Sequence, residues 1–96
     1  MKLKPEEVIL TGRWLFDGYV NRGDLVCERI AWLTQHELQR LANSQQWGDW
    51  EILYLDPSDG RHWELTYPQG DLQGGGPPQL QLISAADARI KYPLDH

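Results

Sequence analysis

His62 and Glu64 are the side chains in this sequence best suited to acid–base or metal chemistry. They stand two residues apart in a run typical of a β-strand, so both project from the same strand face. An imidazole and a carboxylate at that spacing could exchange a proton or supply two ligands to a metal ion, although two ligands without a third seldom hold a transition metal. A small metal-dependent or hydrolytic enzyme using His62 and Glu64 is therefore an alternative hypothesis, set against the more common case of two polar side chains facing solvent.

Motifs for nucleophilic or phosphoryl-transfer chemistry are absent from the sequence. The serines at positions 44, 58 and 84 lie in no Gly-X-Ser-X-Gly elbow, and there is neither a His-Glu-X-X-His pair nor a phosphate loop. Cys27 has no second cysteine with which to form a disulfide, a zinc motif or a redox pair. We expect a buried Cys27 thiol, and we predict no cofactor and no metal site.

Length and composition indicate one globular domain spanning residues 1–96. Of the 96 residues, 41% are hydrophobic and 24% are charged, which is ordinary for a folded domain. The longest apolar runs have four residues, far short of the roughly 18 that a membrane span needs. No apolar stretch typical of a signal peptide follows the N-terminal lysines. We therefore expect a cytoplasmic protein that does not contact a membrane.

The net charge of −5 comes entirely from the second half of the chain. Residues 49–96 hold eight acids and three bases, whereas residues 1–48 are neutral. An acidic surface repels phosphates, so nucleic acid is not an expected partner, while a basic protein would be attracted. Many small proteins carry such a charge for solubility alone.

Aromatic residues surround the acidic segment. Alternation places Trp50, Trp63 and Tyr67 in the expected core, whereas Trp47, beside a glycine in a predicted loop, is the expected exposed aromatic residue. Interface hot spots favour aromatic side chains near charges. The predicted partner-binding residues are Trp47, Asp49, Glu51, Asp56, Asp59 and Glu64.

The first part of the chain is predicted to form a hairpin and then a helix. Strands are expected over residues 8–10 and 14–16, with a turn at Asp17-Gly18, a second strand over 19–20 and a further turn over 21–23. From Asp24 to residue 46 there is no glycine or proline, and Asp24 can cap a long helix. A strand over 25–33 followed by a helix over 34–43 is the alternative.

The second part is predicted to form another hairpin, a strand and a short helix. Strands over 50–55 and 61–67 flank the turn-forming sequence at 56–60, and alternation assigns one face of the second strand to the core and the other, with His62 and Glu64, to solvent. A strand over 80–83 leads to a helix capped by Ser84 that ends before Pro93. The predicted class is α+β: a small antiparallel sheet of hairpins packed against one main helix, with a short C-terminal helix.

Several sequence elements occur together, in order and at short spacing: an Asp-Pro-X-Asp-Gly-Arg turn, a Trp-Glu-Leu strand segment and a Gly-Gly-Pro-Pro segment. Because of these elements, residues 10–92 resemble the immunity protein 27 family of bacterial polymorphic toxin systems. His62 stands where we would more readily expect a tyrosine in that family, which weakens the case for a required imidazole. The motif residues are Asp56, Pro57, Asp59, Gly60, Arg61, Trp63, Glu64, Gly75, Gly76, Pro77 and Pro78.

The resemblance implies a cytoplasmic protein made beside a toxin domain, which it neutralises by binding. It implies no catalysis. The resemblance does not indicate which residues contact the partner. The prediction of the partner-binding residues above therefore depends on charge and aromatic content alone. The expected partner is a cognate toxin domain that is basic, as a nuclease would be, and that an acidic and aromatic face occludes stoichiometrically.

Overall fold

The computed structural model describes residues 2–16, 21–44, 48–68 and 76–92. The elements are β1 Ile9–Thr11, β2 Trp14–Phe16, β3 Asn21–Gly23, α1 Leu25–Trp32, β4 Gln39–Ser44, β5 Gly48–Leu55, β6 His62–Thr66, β7 Gln79–Ile83 and α2 Ala85–Lys91. Five antiparallel strands form the main sheet in the order β1-β7-β6-β5-β4, and β2 pairs with β3 in a separate two-stranded sheet. The predicted α+β class is confirmed. Along the described ranges, neither helix has the length and apolar content to cross a membrane.

Helix α1 begins where the sequence predicts but ends much earlier. Asp24 caps it by accepting a hydrogen bond from the Cys27 N–H at 2.9 Å. A π-helical turn, Leu33–Glu37, follows α1, and the chain then enters β4. The prediction of one long helix from Asp24 is therefore wrong beyond residue 37, and the alternative of a strand followed by a helix is wrong too. Pairing with β5 outweighs the local helical preference, which is a weak determinant.

The first hairpin is present with a different second strand. β2 and β3 pair antiparallel, with Phe16 opposite Asn21 and Trp14 opposite Gly23. Residues 21–23, predicted as a turn, are thus a strand. The predicted turn at Asp17-Gly18 and the predicted strand over 19–20 lie outside the described residues.

One face of the main sheet packs against α1 and the π-helical turn. In the centre of this face, Trp63 lies opposite Tyr54 on one side and Leu82 on the other, and its side chain is fully buried. The prediction that Trp63 belongs to the core is confirmed. The buried cluster on this face comprises Leu10, Ile30, Leu33, Leu38, Ile52, Tyr54, Trp63, Leu65 and Leu80.

The other face of the sheet packs against α2. Leu53 forms a second buried cluster there with Ala88 and Tyr92 of α2. Ser84 caps α2 as predicted, accepting a hydrogen bond from the Asp87 N–H at 3.1 Å. The sequence predicts that this face of β6 is exposed to solvent. That prediction is wrong for Glu64, which is only 9% exposed because α2 covers part of the face. Alternation in the sequence separates two faces but does not show what covers each of them.

Gly12 lies where β1, β7 and α1 approach one another. Its N–H donates to the Pro78 carbonyl at 2.9 Å, and a Cβ at this position would lie 2.5 Å from the Cys27 Sγ. Cys27 itself is half-buried, not fully buried as expected, and its thiol donates to the Arg13 carbonyl at 3.5 Å. Burial raises the pKa of the Cys27 thiol. Only a residue without a side chain fits at position 12 without moving its neighbours.

Candidate functional site

Two of the predicted partner-binding acids, Glu51 and Glu64, lie under the C-terminal end of α2. Lys91 Nζ is 2.7 Å from Oε2 of Glu51 and 2.7 Å from Oε2 of Glu64. The Tyr92 hydroxyl donates a buried hydrogen bond to Glu64 Oε2 at 2.6 Å. One ammonium and one phenol therefore hold two carboxylates, and this network fastens α2 to β5 and β6.

The titration properties of this network fit a structural role. Burial, and then the hydrogen bond to Glu64, raise the pKa of the Tyr92 hydroxyl far above its usual value, so it stays a proton donor. Burial alone would lower the pKa of Lys91, but its hydrogen bonds to Glu51 and Glu64 outweigh that effect and raise it.

Within the described ranges, no group of three His, Cys, Asp or Glu side chains could hold a metal ion. Glu64, the carboxylate of the enzyme hypothesis, is thus engaged by Tyr92 and Lys91.

The acids of the β5–β6 turn organise that turn. Asp56, only 6% exposed, accepts hydrogen bonds from the Ser58 N–H at 2.9 Å and the Ser58 hydroxyl at 2.6 Å. Gly60 closes the turn with φ of +78° and an N–H donated to the Asp56 carbonyl at 2.8 Å. Asp59 accepts a hydrogen bond from the Arg61 N–H at 3.0 Å. This bond makes the largest of several contributions to lowering the pKa of the Asp59 carboxyl. The Asp-Pro-X-Asp-Gly-Arg motif therefore specifies the turn.

Arg61 connects this turn to the N-terminal segment. Its guanidinium donates to Asp59 Oδ2 at 2.6 Å and to the carbonyls of Glu7 at 3.0 Å and Lys4 at 3.2 Å. The same guanidinium lies 5.0 Å from the ring centroid of Trp63, a cation–π distance. We call this arrangement the arginine clasp, because Arg61 fastens residues 4–7 to the edge of the core.

A second arginine holds the same segment from α1. Arg29 donates to both carboxylate oxygens of Glu7 at 2.6 Å and to the Lys2 carbonyl at 2.7 Å. The hydrogen bond from Arg29 lowers the pKa of Glu7 from 4.5 to about 2. A bidentate pair of this kind is the stronger form of ion pair.

Replacing Glu7 with glutamine is expected to remove a pH-dependent part of the stability. Because the folded-state pKa of Glu7 is depressed, its contribution is fully present above pH 4.5 and is lost as the pH falls toward about 2. The free energy of unfolding of the wild type should therefore exceed that of Glu7→Gln at neutral pH, and the gap should narrow through that window. Urea titrations at several pH values measure it. A gap that stays constant from pH 7 to pH 2 would contradict the assignment.

Five of the six predicted partner-binding residues fall within the described ranges, and they lie at three locations. Trp47 is outside the described residues, and of Asp49 the structure describes only its place in β5. Glu51 and Glu64 lie under α2, while Asp56 and Asp59 lie in the turn at the far end of β5. A strand rises about 3.3 Å per residue, so Asp49 and Asp56 are roughly 23 Å apart.

Trp50 is the exposed aromatic residue that the sequence prediction assigned to the core. Its side chain is 51% exposed, and its ring makes a T-shaped contact with Tyr67, with centroids 5.1 Å apart and planes at 81°. Tyr67 is half-buried and packs against the core cluster. The core prediction is therefore wrong for Trp50 and confirmed in part for Tyr67. The position of Trp50 near the start of β5, two residues after Gly48, is the signal that could have indicated exposure.

Residues 16–84, well over half of the chain, match the family model described as Immunity protein 27. The chain belongs to the immunity protein 27 family. No curated protein and no solved structure matches the sequence. Membership of the immunity protein 27 family supports an immunity role, implies a cognate toxin as partner and suggests an inhibitor without enzymatic activity.

Proposed function

We propose that this immunity protein 27 family member binds a cognate toxin domain stoichiometrically in the cytoplasm of the producing cell and so neutralises it. The observation that carries the proposal is the family match over residues 16–84. Each face of the main sheet carries a buried cluster packed against its own helix, which supports a preformed binding surface rather than one that folds on contact. The toxin surface would be covered, not modified.

We further propose that the toxin domain is basic, as a nuclease would be, and that negative charge accelerates the encounter. The net charge of −5 supports this. Within the network under α2, a single Lys91 is shared by Glu51 and Glu64, so that cluster keeps an excess of negative charge. Asp56 and Glu64 contribute to this field from buried positions, whereas Asp49, Glu51 and Asp59 are the acids proposed to lie nearer the partner.

Reversing the charge of Asp49 with lysine is expected to slow association with the toxin domain encoded beside this chain by about 3- to 10-fold at low salt. Asp87→Lys is the matched control, since it makes the same charge change on an exposed position of α2. We expect a change of less than about 2-fold for the control. Stopped-flow association rates at about 0.02 M and about 0.5 M salt measure both effects, and the higher salt should abolish the difference. Equal rates for the two variants at low salt would contradict a localised acidic face.

A further inference from the structure

An open cleft of about 390 Å³ lies where the end of β7 and the start of α2 meet the β5–β6 turn. Leu82, Ile83 and Ala85 form its apolar wall, while His62 and Ser84 add an imidazole and a hydroxyl. A volume of this size is within the range of pockets that enclose a small organic group, and a largely apolar lining with a few polar groups is typical of them. The cleft therefore has the size and the lining of a binding site.

Both sides of the cleft are held in place by local hydrogen bonds. On one side, Gly60 and Arg61 belong to the turn that the Asp59 side chain helps to organise. On the other side, the Ser84 side chain caps α2, and the Ala88 N–H donates to the Ser84 carbonyl at 2.9 Å. A cleft with preformed sides loses little conformational entropy when an occupant enters it.

The charges around the cleft indicate an uncharged occupant. Of the described residues that line it, Arg61 carries the one permanent charge. Arg61 Nε donates to Asp59 Oδ2 at 2.6 Å, so this charge is already paired within the chain. A charged side chain that entered the cleft would lose its water without gaining an unpaired opposite charge. An apolar side chain would instead gain from burial against Leu82, Ile83 and Ala85.

Resting on the proposed function, we propose that the cognate toxin domain inserts an uncharged, apolar side chain into this cleft. Asp59 directly precedes Gly60 of the cleft wall, and it is one of the acids proposed above to lie nearer the partner. The cleft therefore continues the surface proposed to face the toxin. Pockets in an interface are commonly filled by anchor side chains, while charges around them speed the encounter. In this arrangement the acids attract the basic toxin domain and the cleft holds it.

The test narrows the cleft from its own wall and measures affinity for the purified cognate toxin domain, carried as a catalytically inactive form. Ala85→Phe should weaken binding by at least about 10-fold, mainly through faster dissociation. Ala86→Phe is the matched control, because Ala86 is equally an exposed alanine at the start of α2 but is not among the lining residues. The control should change affinity by less than about 2-fold.

Charged substitutions at the same two positions test the chemistry of the occupant. Ala85→Asp and Ala85→Lys should each bind at least about 5-fold more weakly than the same substitution at Ala86, since either charge would face an apolar side chain. The Ala86 variants correct for long-range attraction or repulsion between the new charge and the toxin. Asp87, the charge control used above, lies about 200° around the helix from Ala85 and so faces away from the cleft.

Tighter binding by an Ala85 variant than by its Ala86 counterpart would overturn the uncharged occupant. With aspartate at both positions, that result would indicate a cationic side chain in the cleft. With lysine, it would indicate an anionic one.

The remaining outcomes separate this inference from the proposed function. Because Ala85 and Ala86 are exposed, each variant should unfold close to the wild-type urea midpoint, and urea titrations verify that. If the wild type binds tightly and Ala85→Phe binds as tightly, the cleft is overturned as a toxin contact while the immunity role stands. If the wild type binds no toxin domain, the proposed function itself fails. A wild-type dimer, seen by light scattering, that Ala85→Phe dissolves would place a second copy in the cleft and overturn the inference.

Discussion

Replacing Glu64 with alanine is expected to lower the free energy of unfolding by about 2–4 kcal/mol. The variant leaves the Tyr92 hydroxyl without its acceptor in a buried position, and it removes one of the two carboxylates that hold Lys91. Lys91 keeps Glu51 and some contact with water, so most of the loss should come from the stranded hydroxyl. Chemical denaturation at neutral pH measures the change.

Two further variants distinguish the components of this network. Glu64→Gln keeps an oxygen acceptor for Tyr92 and loses only the charge. We therefore expect it to lower the free energy of unfolding by about 1 kcal/mol or less. Tyr92→Phe removes the hydroxyl together with its need for a partner and should restore part of the stability of the Glu64→Ala background. An unchanged stability for Glu64→Ala, together with a loss of toxin binding, would show that Glu64 is a contact residue and not a fastening for α2.

Replacing Arg61 with alanine is expected to release the N-terminal segment and to lower the free energy of unfolding by about 2–3 kcal/mol. The variant removes the donors to the carbonyls of Glu7 and Lys4 and the cation above Trp63. The Leu82 N–H donates to the Val8 carbonyl at 2.9 Å, so its hydrogen exchange reports on the same segment. Exchange at Leu82 should accelerate more than exchange at the centre of β5.

The controls for this prediction separate charge from geometry. Arg61→Lys keeps the charge but not the planar fork of donors, so it should restore only part of the lost stability. Arg89→Ala removes an exposed arginine from α2 and should change stability by less than about 0.5 kcal/mol. If Arg61→Ala and Arg89→Ala were equally stable, the arginine clasp would not hold the N-terminal segment.

Features set by neighbouring residues were predicted well from the sequence. The β5–β6 turn depends on Asp56 and Gly60, and the starts of the two helices depend on Asp24 and Ser84, so each is encoded within a few positions. The strand β4 was missed because its pairing with β5 is a tertiary contact, and no glycine or proline separates it from α1. A lack of helix breakers permits a helix without requiring one.

The candidate site was harder to predict because exposure depends on what packs against each strand. Glu64 and Trp50 both follow the expected alternation, yet the carboxylate is covered by α2 and the indole extends past the buried cluster. The same charge count that indicates an acidic face does not show that Lys91 and Arg61 already engage several of its acids. The pairings of Lys91 join residues far apart in the sequence, and composition carries no record of them.

The most direct test of the immunity role is a titration of the active cognate toxin domain with the purified wild-type chain. At toxin concentrations well above the dissociation constant, the account predicts that toxin activity falls linearly and reaches zero at one equivalent of chain. Preheated, unfolded chain should leave the activity unchanged. Full toxin activity in the presence of a several-fold excess of folded chain would contradict the central claim that this protein neutralises its toxin by binding it.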